Sequence, residues 1–391
     1  LALAVALAVG VLGFARAEAE PRCARRGRNA PPRPHSVTIT EFGAVGDGVT
    51  LNTVPFQNAV FYLRSFADKG GAQLYVPKGR WLTGSFNLTS HLTLFLESGA
   101  VIVGTQLYWA DWDCLSVIYS FLHGGVKKAY CGTFAIIWTG NGPSSNVVVN
   151  NITIQTSLDA PLNHGIVPDS CSNMCIEDSS ISVSHDAISL KSGWDNYGIT
   201  FGRPTSDIHI RRVDLQSPLG AALAFGSEMS GGISDVHADH LRIHGSSKGI
   251  FFKTAQGRGG YIRDTIISDV QMEDVDVAIA FTGAWSSHPD DHFDPDALPV
   301  INRITLKNMT GTKISVAGVL SGITGDPFIE ICLSNINFSL ADSANSTSWS
   351  CSNVSGYSEL KKPEPCIDLQ TPSSYSSICS ALPGYHAIAV A

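Results

Sequence analysis

The chain has 391 residues, 44% of them hydrophobic and 15% charged, enough apolar material for one large core or two ordinary ones; a disordered or fibrous protein is excluded. Twenty-six Lys and Arg stand against 34 Asp and Glu, a formal charge of −8. That balance argues against a general nucleic-acid surface but still allows a local basic groove for an anionic ligand. Thirty-seven Gly and only four Met point to turns and strands more than to helix bundles.

Residues 1–17 read as a secretory signal. The apolar run from Leu1 to Phe14 is short for a bilayer span, and Ala15-Arg16-Ala17 supplies small residues for cleavage. Residues 18–36 carry Arg22, Arg25, Arg26, Arg28 and Arg33 among four prolines, too few apolar groups to pack, and read as a disordered arm. The fold is expected to start near Val37 with a short strand and a turn containing Gly43, Gly46 and Gly48. Phe56, Ala59, Val60, Leu63 and Phe66 then recur at helical spacing behind the cap-type residues Asn52 and Thr53.

Beyond that helix the period changes. Short β-branched strands ending in Asn, Asp, Ser or Gly recur around Ile152, Ile181, Val213, Leu241, Val270, Met309 and Ile336, spaced by roughly 27 to 39 residues. The pattern runs on well past the seven strands of an immunoglobulin-like sandwich. It predicts an all-β chain folded as a right-handed parallel β-helix over residues 37–340. The N-terminal helix caps one end against edge pairing, and the Ser-rich tail 341–391, with Trp349 and Tyr357, covers the other. Capped ends favour a monomer.

Six Asn-x-Ser/Thr acceptors, at Asn87, Asn151, Asn308, Asn337, Asn345 and Asn353, suit an exported glycoprotein. Nine Cys imply disulfides plus an odd thiol, with Cys351, Cys366 and Cys379 crowded in the tail and Cys114 and Cys131 flanking one loop; the pairing stays open. Cysteine spacing matches no zinc signature, and His240 and His244 lie in strand-like sequence, so no metal or cofactor is expected.

Seven ordered motifs carry a resemblance: Phe42-Gly43-Ala44-Val45-Gly46-Asp47-Gly48, Pro168-Asp169-Ser170-Cys171, Lys191-Ser192-Gly193-Trp194-Asp195, Gly226-Ser227-Glu228-Met229-Ser230-Gly231-Gly232, Lys253-Thr254, Gly257-Arg258-Gly259-Gly260-Tyr261 and Gly325-Asp326-Pro327. Their order from about Val37 to Leu340 resembles that of plant polygalacturonase-like proteins, which belong to a pectin-cleaving glycoside hydrolase family with a parallel β-helix fold. The resemblance implies an extracellular or cell-wall protein that hydrolyses α-1,4-galacturonan with inversion. Its partner is pectin; neither nucleic acid nor, once the signal is removed, membrane is expected. Inversion needs one carboxylic acid to protonate the leaving oxygen and a carboxylate about 6.5–9.5 Å away to activate water.

The family signatures Asn-Thr-Asp, Gly-Asp-Asp, Gly-His-Gly and Arg-Ile-Lys are altered here. His164 stands at the Asp of the first; His185 stands at the first Asp of the second, and Asp186 matches its second Asp. Gly220-Ala221-Ala222 replaces the third, and Phe251-Phe252-Lys253 the fourth. The resemblance therefore gives Asp186, His185 and His164 as catalytic candidates, with Lys253, Arg258 and Lys191 as candidates for holding uronate carboxylates. Asp169 reads as a turn residue, and Glu228 as a further acid with a structural role. Trp194 and Tyr197 read as either a sugar-stacking face or rim packing. Two readings stay open: a glycosidase weakened by two imidazoles, and a pectin-binding protein without catalysis. A β-elimination lyase ranks behind both.

Overall fold

The structure is a computed structural model describing residues 33–104, 134–138, 145–159, 163–285, 288–341 and 347–370. The expected signal, most of the arm, Cys114, Cys131, Cys379 and Asn345 fall outside the described residues.

The strands pair in parallel, each with the strand one coil further along the chain, so that equivalent residues stack in columns. One column runs Ile210, Ala238, Ile267, Leu306 and Leu333. A second runs Leu190, Phe225, Phe252, Phe281 and Leu320. In the second, Phe252 stacks on Phe225 at 4.4 Å and on Phe281 at 4.3 Å between centroids, all three buried. This is the stacked β-helix that the repeat predicted.

The repeat's polar residues have a definite job. Asn173, Asp207, Asp235, Asp264, Arg303 and Glu330 occupy one corner of successive coils at φ of 52–56°. Asp178, Arg212, His240, Asp269, Asn308 and Asn335 occupy another at 52–57°. Asn and Asp tolerate this left-handed region best among non-glycine residues. Side chains also bond up the corner columns, as from Arg212 to Asp178 and from Asn335 to Asn308. The expected anchors Leu241, Val270, Met309 and Ile336 share one column. Ile181 is two residues out of step: it pairs with Leu215, while Ser179 pairs with Val213.

Helix α1, Thr53–Arg64, buries Phe56, Ala59, Val60 and Leu63, and Phe56 stacks on Phe86 at 4.5 Å. Asn52 does not cap it through its side chain. Instead its carboxamide ties Val45, Thr50 and Leu82 together. A second helix, α2, Asp195–Phe201, lies outside the expectations from sequence.

Both expected boundaries of the β-helix need correction. The first strand is His35–Thr38, and Arg33 already bonds Thr93 and the carbonyls of Gly70 and Asn146, so residues 33–36, expected in the arm, belong to the fold. At the other end Thr347–Ser352 and Val354–Lys362 pair with the preceding coils. Residues 347–362 of the expected capping tail thus add another coil, closed by a Cys351–Cys366 disulfide. Cys175 and Cys332 are also disulfide-bonded, and Cys171 is a buried thiol. No helix among the described residues is long and apolar enough to cross a membrane.

Phe252→Ala empties the middle of the aromatic column and is expected to cost about 3–5 kcal/mol in urea unfolding. A loss under about 1 kcal/mol would contradict the stack as a packing element.

Candidate active site

Four successive coils deliver one polar cluster. His164 lies in the strand Asn163–Val167, His185 and Asp186 just precede Ile188–Leu190, Ala221 opens Ala221–Phe225, and Lys253 ends Ile233–Lys253. The column Ile166, Ile188, Leu223, Ile250 sets their register. The coils approach closely because two positions lack side chains: a Cβ on Gly165 would lie 2.4 Å from the Ala187 carbonyl oxygen, and one on Gly220 2.5 Å from the His185 carbonyl carbon. His185 N–H donates to Asn163 O and Gly165 N–H to Asp186 O, fixing the histidines beside the aspartate.

Asp186 is the centre of the cluster and is 1% exposed. Its Oδ1 accepts from the Ala221 N–H at 3.0 Å, and its Oδ2 accepts from Lys253 Nζ at 2.6 Å and Ser189 Oγ at 3.3 Å. Burial alone would raise its pKa. The Lys253 ammonium, which also hydrogen-bonds it, and the neighbouring imidazoles of His164 and His185 together outweigh that and hold the carboxyl well below the usual range. His164 Nδ1 lies 3.6 Å and His185 Nδ1 3.5 Å from this carboxylate. Burial pushes His164 down to about 3 and also lowers His185, against the pull of Asp186. His164 is therefore neutral in mild acid. His185, with 17% of its side chain exposed, is the member that opens to solvent.

The three cations expected to hold substrate are engaged inside the protein. Lys253 serves Asp186, and Lys191 Nζ lies 2.6 Å from Glu228. Burial would raise Glu228, but Lys191 brings it down to about 2. Arg258 is 0% exposed: it bonds Asp195 at 2.6 Å and the Ser227 carbonyl at 3.0 Å, beside the Trp194 ring at 5.5 Å. His288 caps the same Asp195 at 2.8 Å. A substrate-binding role for Arg258 is corrected by this geometry, since its guanidinium has no surface left to meet a uronate. Trp194 packs on that guanidinium, and the Tyr197 hydroxyl donates to Asp290, so both belong to the rim. Asp169 accepts from Ser170 at 2.9 Å, as a turn residue would, and burial pushes its carboxyl up to about 6.

Three residues beside the cluster were passed over in the sequence. Phe251 and the 37% exposed Trp285 meet edge to face at 5.7 Å, and Lys253 Nζ lies 5.0 Å from the Trp285 ring. Lys248, partly exposed, sits 5.2 Å from the Phe251 ring, and among the described residues it forms no ion pair. The signal for Phe251 was its place where the family has Arg.

Removing one partner of a buried pair leaves the other charge stranded, so Arg258→Met is expected to cost about 3–5 kcal/mol of stability. A change under about 1 kcal/mol by denaturant titration would return Arg258 to the surface. Asp169 predicts a pH effect of definite sign. Its folded pKa of about 6 lies above the ordinary 3.8, so the folded chain holds a proton that the unfolded chain has released. Its contribution to stability therefore falls as pH rises through that window, and Asp169→Asn is expected to flatten the fall. An unchanged slope in the Asn variant would contradict it.

Residues 141–364 match the profile of Glycosyl hydrolases family 28. A probable polygalacturonase of Vitis vinifera is 38% identical over 413 residues, spanning 89% of this chain and 83% of that protein. Among solved structures, an exopolygalacturonase from Thermotoga maritima aligns with a TM-score of 0.60 at 22% identity, over 84% of this chain and 91% of that one. A polygalacturonase from Erwinia carotovora ssp. carotovora aligns with a TM-score of 0.53 at 18% identity, over 84% and 98%. These two share the parallel β-helix fold, and the extent of the family match and of the Vitis vinifera likeness shows that the chain belongs to glycosyl hydrolases family 28.

Proposed function

We propose that this chain is exported to the cell wall and acts there on the α-1,4-galacturonan of pectin as a slow, inverting polygalacturonase-type hydrolase. The observation that supports this reading is Asp186, a carboxylate kept ionised and held by Lys253, Ala221 N–H and Ser189 beside the solvent-facing His185. In this reading Asp186 activates the attacking water and His185 gives its proton to the leaving oxygen. His164, enclosed and neutral, positions the other two. Lys248 supplies the cation that meets a uronate carboxylate, and Trp285 offers a ring face to the sugar. Exposed Asn308, Asn337 and Asn353 suit a glycosylated chain outside the cell.

Turnover is expected to be weak. A carboxyl pair is replaced by imidazoles, which in neither protonation state supply the negative charge that offsets an oxocarbenium-like transition state, and general acid–base participation is worth about 10²–10⁴-fold. The 3.5 Å between His185 and Asp186, shorter than the spacing that leaves room for a water, favours a second reading: a galacturonan-binding protein without catalysis.

Release of new reducing ends from de-esterified polygalacturonate in mild acid separates the two. The hydrolase reading predicts slow release by the parent chain and none by Asp186→Asn. No release from the parent, with saturable binding retained, would leave the binding protein. In either case Lys248→Met is expected to weaken galacturonate binding about tenfold and to reduce its salt dependence. Unchanged affinity and salt slope would remove Lys248 from the substrate groove.

A further inference from the structure

The polar cluster around Asp186, whose residues carry the roles proposed above, has a feature that those acid–base roles leave unexplained. His164 Nδ1 and His185 Nδ1 are both enclosed, and among the described residues neither has a hydrogen-bond partner. His164 keeps only 5% of its side chain exposed, so its unpartnered nitrogen faces into the cluster at 3.6 Å from Asp186 Oδ2. Two buried nitrogens left without partners are an exception that calls for a physical reason. The imidazoles meet at 61° with centroids 4.8 Å apart, an edge contact that differs from the flat stacking of His209 on His237 at 12°.

We propose that His164, His185 and Asp186 form a binding site for one divalent transition-metal ion of the zinc or cobalt type. One ligand atom from each residue lies within 4.8 Å of the other two. A tetrahedral ion with bonds of about 2.0–2.1 Å places its donors about 3.3 Å apart. His164 Nδ1 lies 3.6 Å from Asp186 Oδ2 and His185 Nδ1 3.5 Å from Oδ1, each near that value but on different carboxylate oxygens, so ligation through a single oxygen requires rotation of the partly exposed His185. Two imidazoles and one carboxylate select zinc or cobalt over calcium or magnesium, which take oxygen ligands. The Ala221 N–H and Ser189 Oγ supply the outer hydrogen bonds that aim the carboxylate. The side of the cluster that opens past His185 leaves the remaining coordination position to water.

Lys253 opposes the ion. Its ammonium shares Asp186 Oδ2 and brings like charge beside the metal, so the native site is weaker than its ligand set alone would give. The sequence expectation of no metal rested on cysteine spacing and on His240 and His244. His164 and His185 lie on neighbouring coils, where no linear spacing reveals them.

The test uses the full chain stripped with a chelator and titrated with cobalt(II), followed by its visible d–d bands, then by zinc displacement. One cobalt per chain is expected, with tetrahedral bands that zinc removes. His164→Ala and His185→Asn are expected to weaken binding about 100-fold, and Lys253→Met to tighten it about tenfold. Absence of bands and of binding heat at millimolar metal would overturn the site, as would affinity unchanged in both histidine variants, which would place the ion elsewhere. The parent chain's stoichiometry and spectrum decide the first arm even if a variant fails to fold. The readout is metal binding itself, so it stands apart from whether galacturonan is cleaved.

Discussion

Coil-on-coil register governs this molecule. Each strand bonds the strand one coil on, and a slip of one residue would turn every side chain from core to surface. Because register holds from Ile166 through Ile188, Leu223 and Ile250 to Ile279, residues far apart in the chain reach one spot. Asp186 and Lys253 are brought to 2.6 Å in this way across 67 positions. Left-handed corners of Asn and Asp keep the register by turning the chain at the same level in each coil.

That site is electrostatically closed. Asp186 with Lys253 and Asp195 with Arg258 form two buried pairs, each of which would leave a stranded charge if one partner were lost, and Lys191 is held by the partly exposed Glu228. The arrangement keeps the coil faces together and at the same time uses the cations that a polyanionic sugar chain would otherwise meet. Among the described residues of the site, His185, Glu228, Lys248 and the Trp285 ring are partly exposed. The surface is thus less charged than three lysine and arginine candidates suggest.

Much of this was legible in the sequence, for physical reasons. β-branched columns and Asn/Asp corners leave a periodic trace, and the ordered motifs marked His164, His185, Asp186 and Lys253 as neighbours. Burial was not legible. Arg258 looked like a surface cation because its partner Asp195 lies 63 positions earlier, on another coil. Helix α2 escaped because its seven residues follow Trp194, which provides no side-chain cap, and include Gly198. The last coil looked like a tail because its Ser-rich strands lack apolar runs and rely on pairing with Val300–Ser321 and Phe328–Leu340.

The most direct test of the site is a crystal structure of the chain with a short oligogalacturonide. A sugar ring is expected against His185 and Trp285, with a uronate carboxylate at Lys248 and Asp186 still paired with Lys253. A sugar bound on another face, or a uronate reaching Arg258, would contradict it.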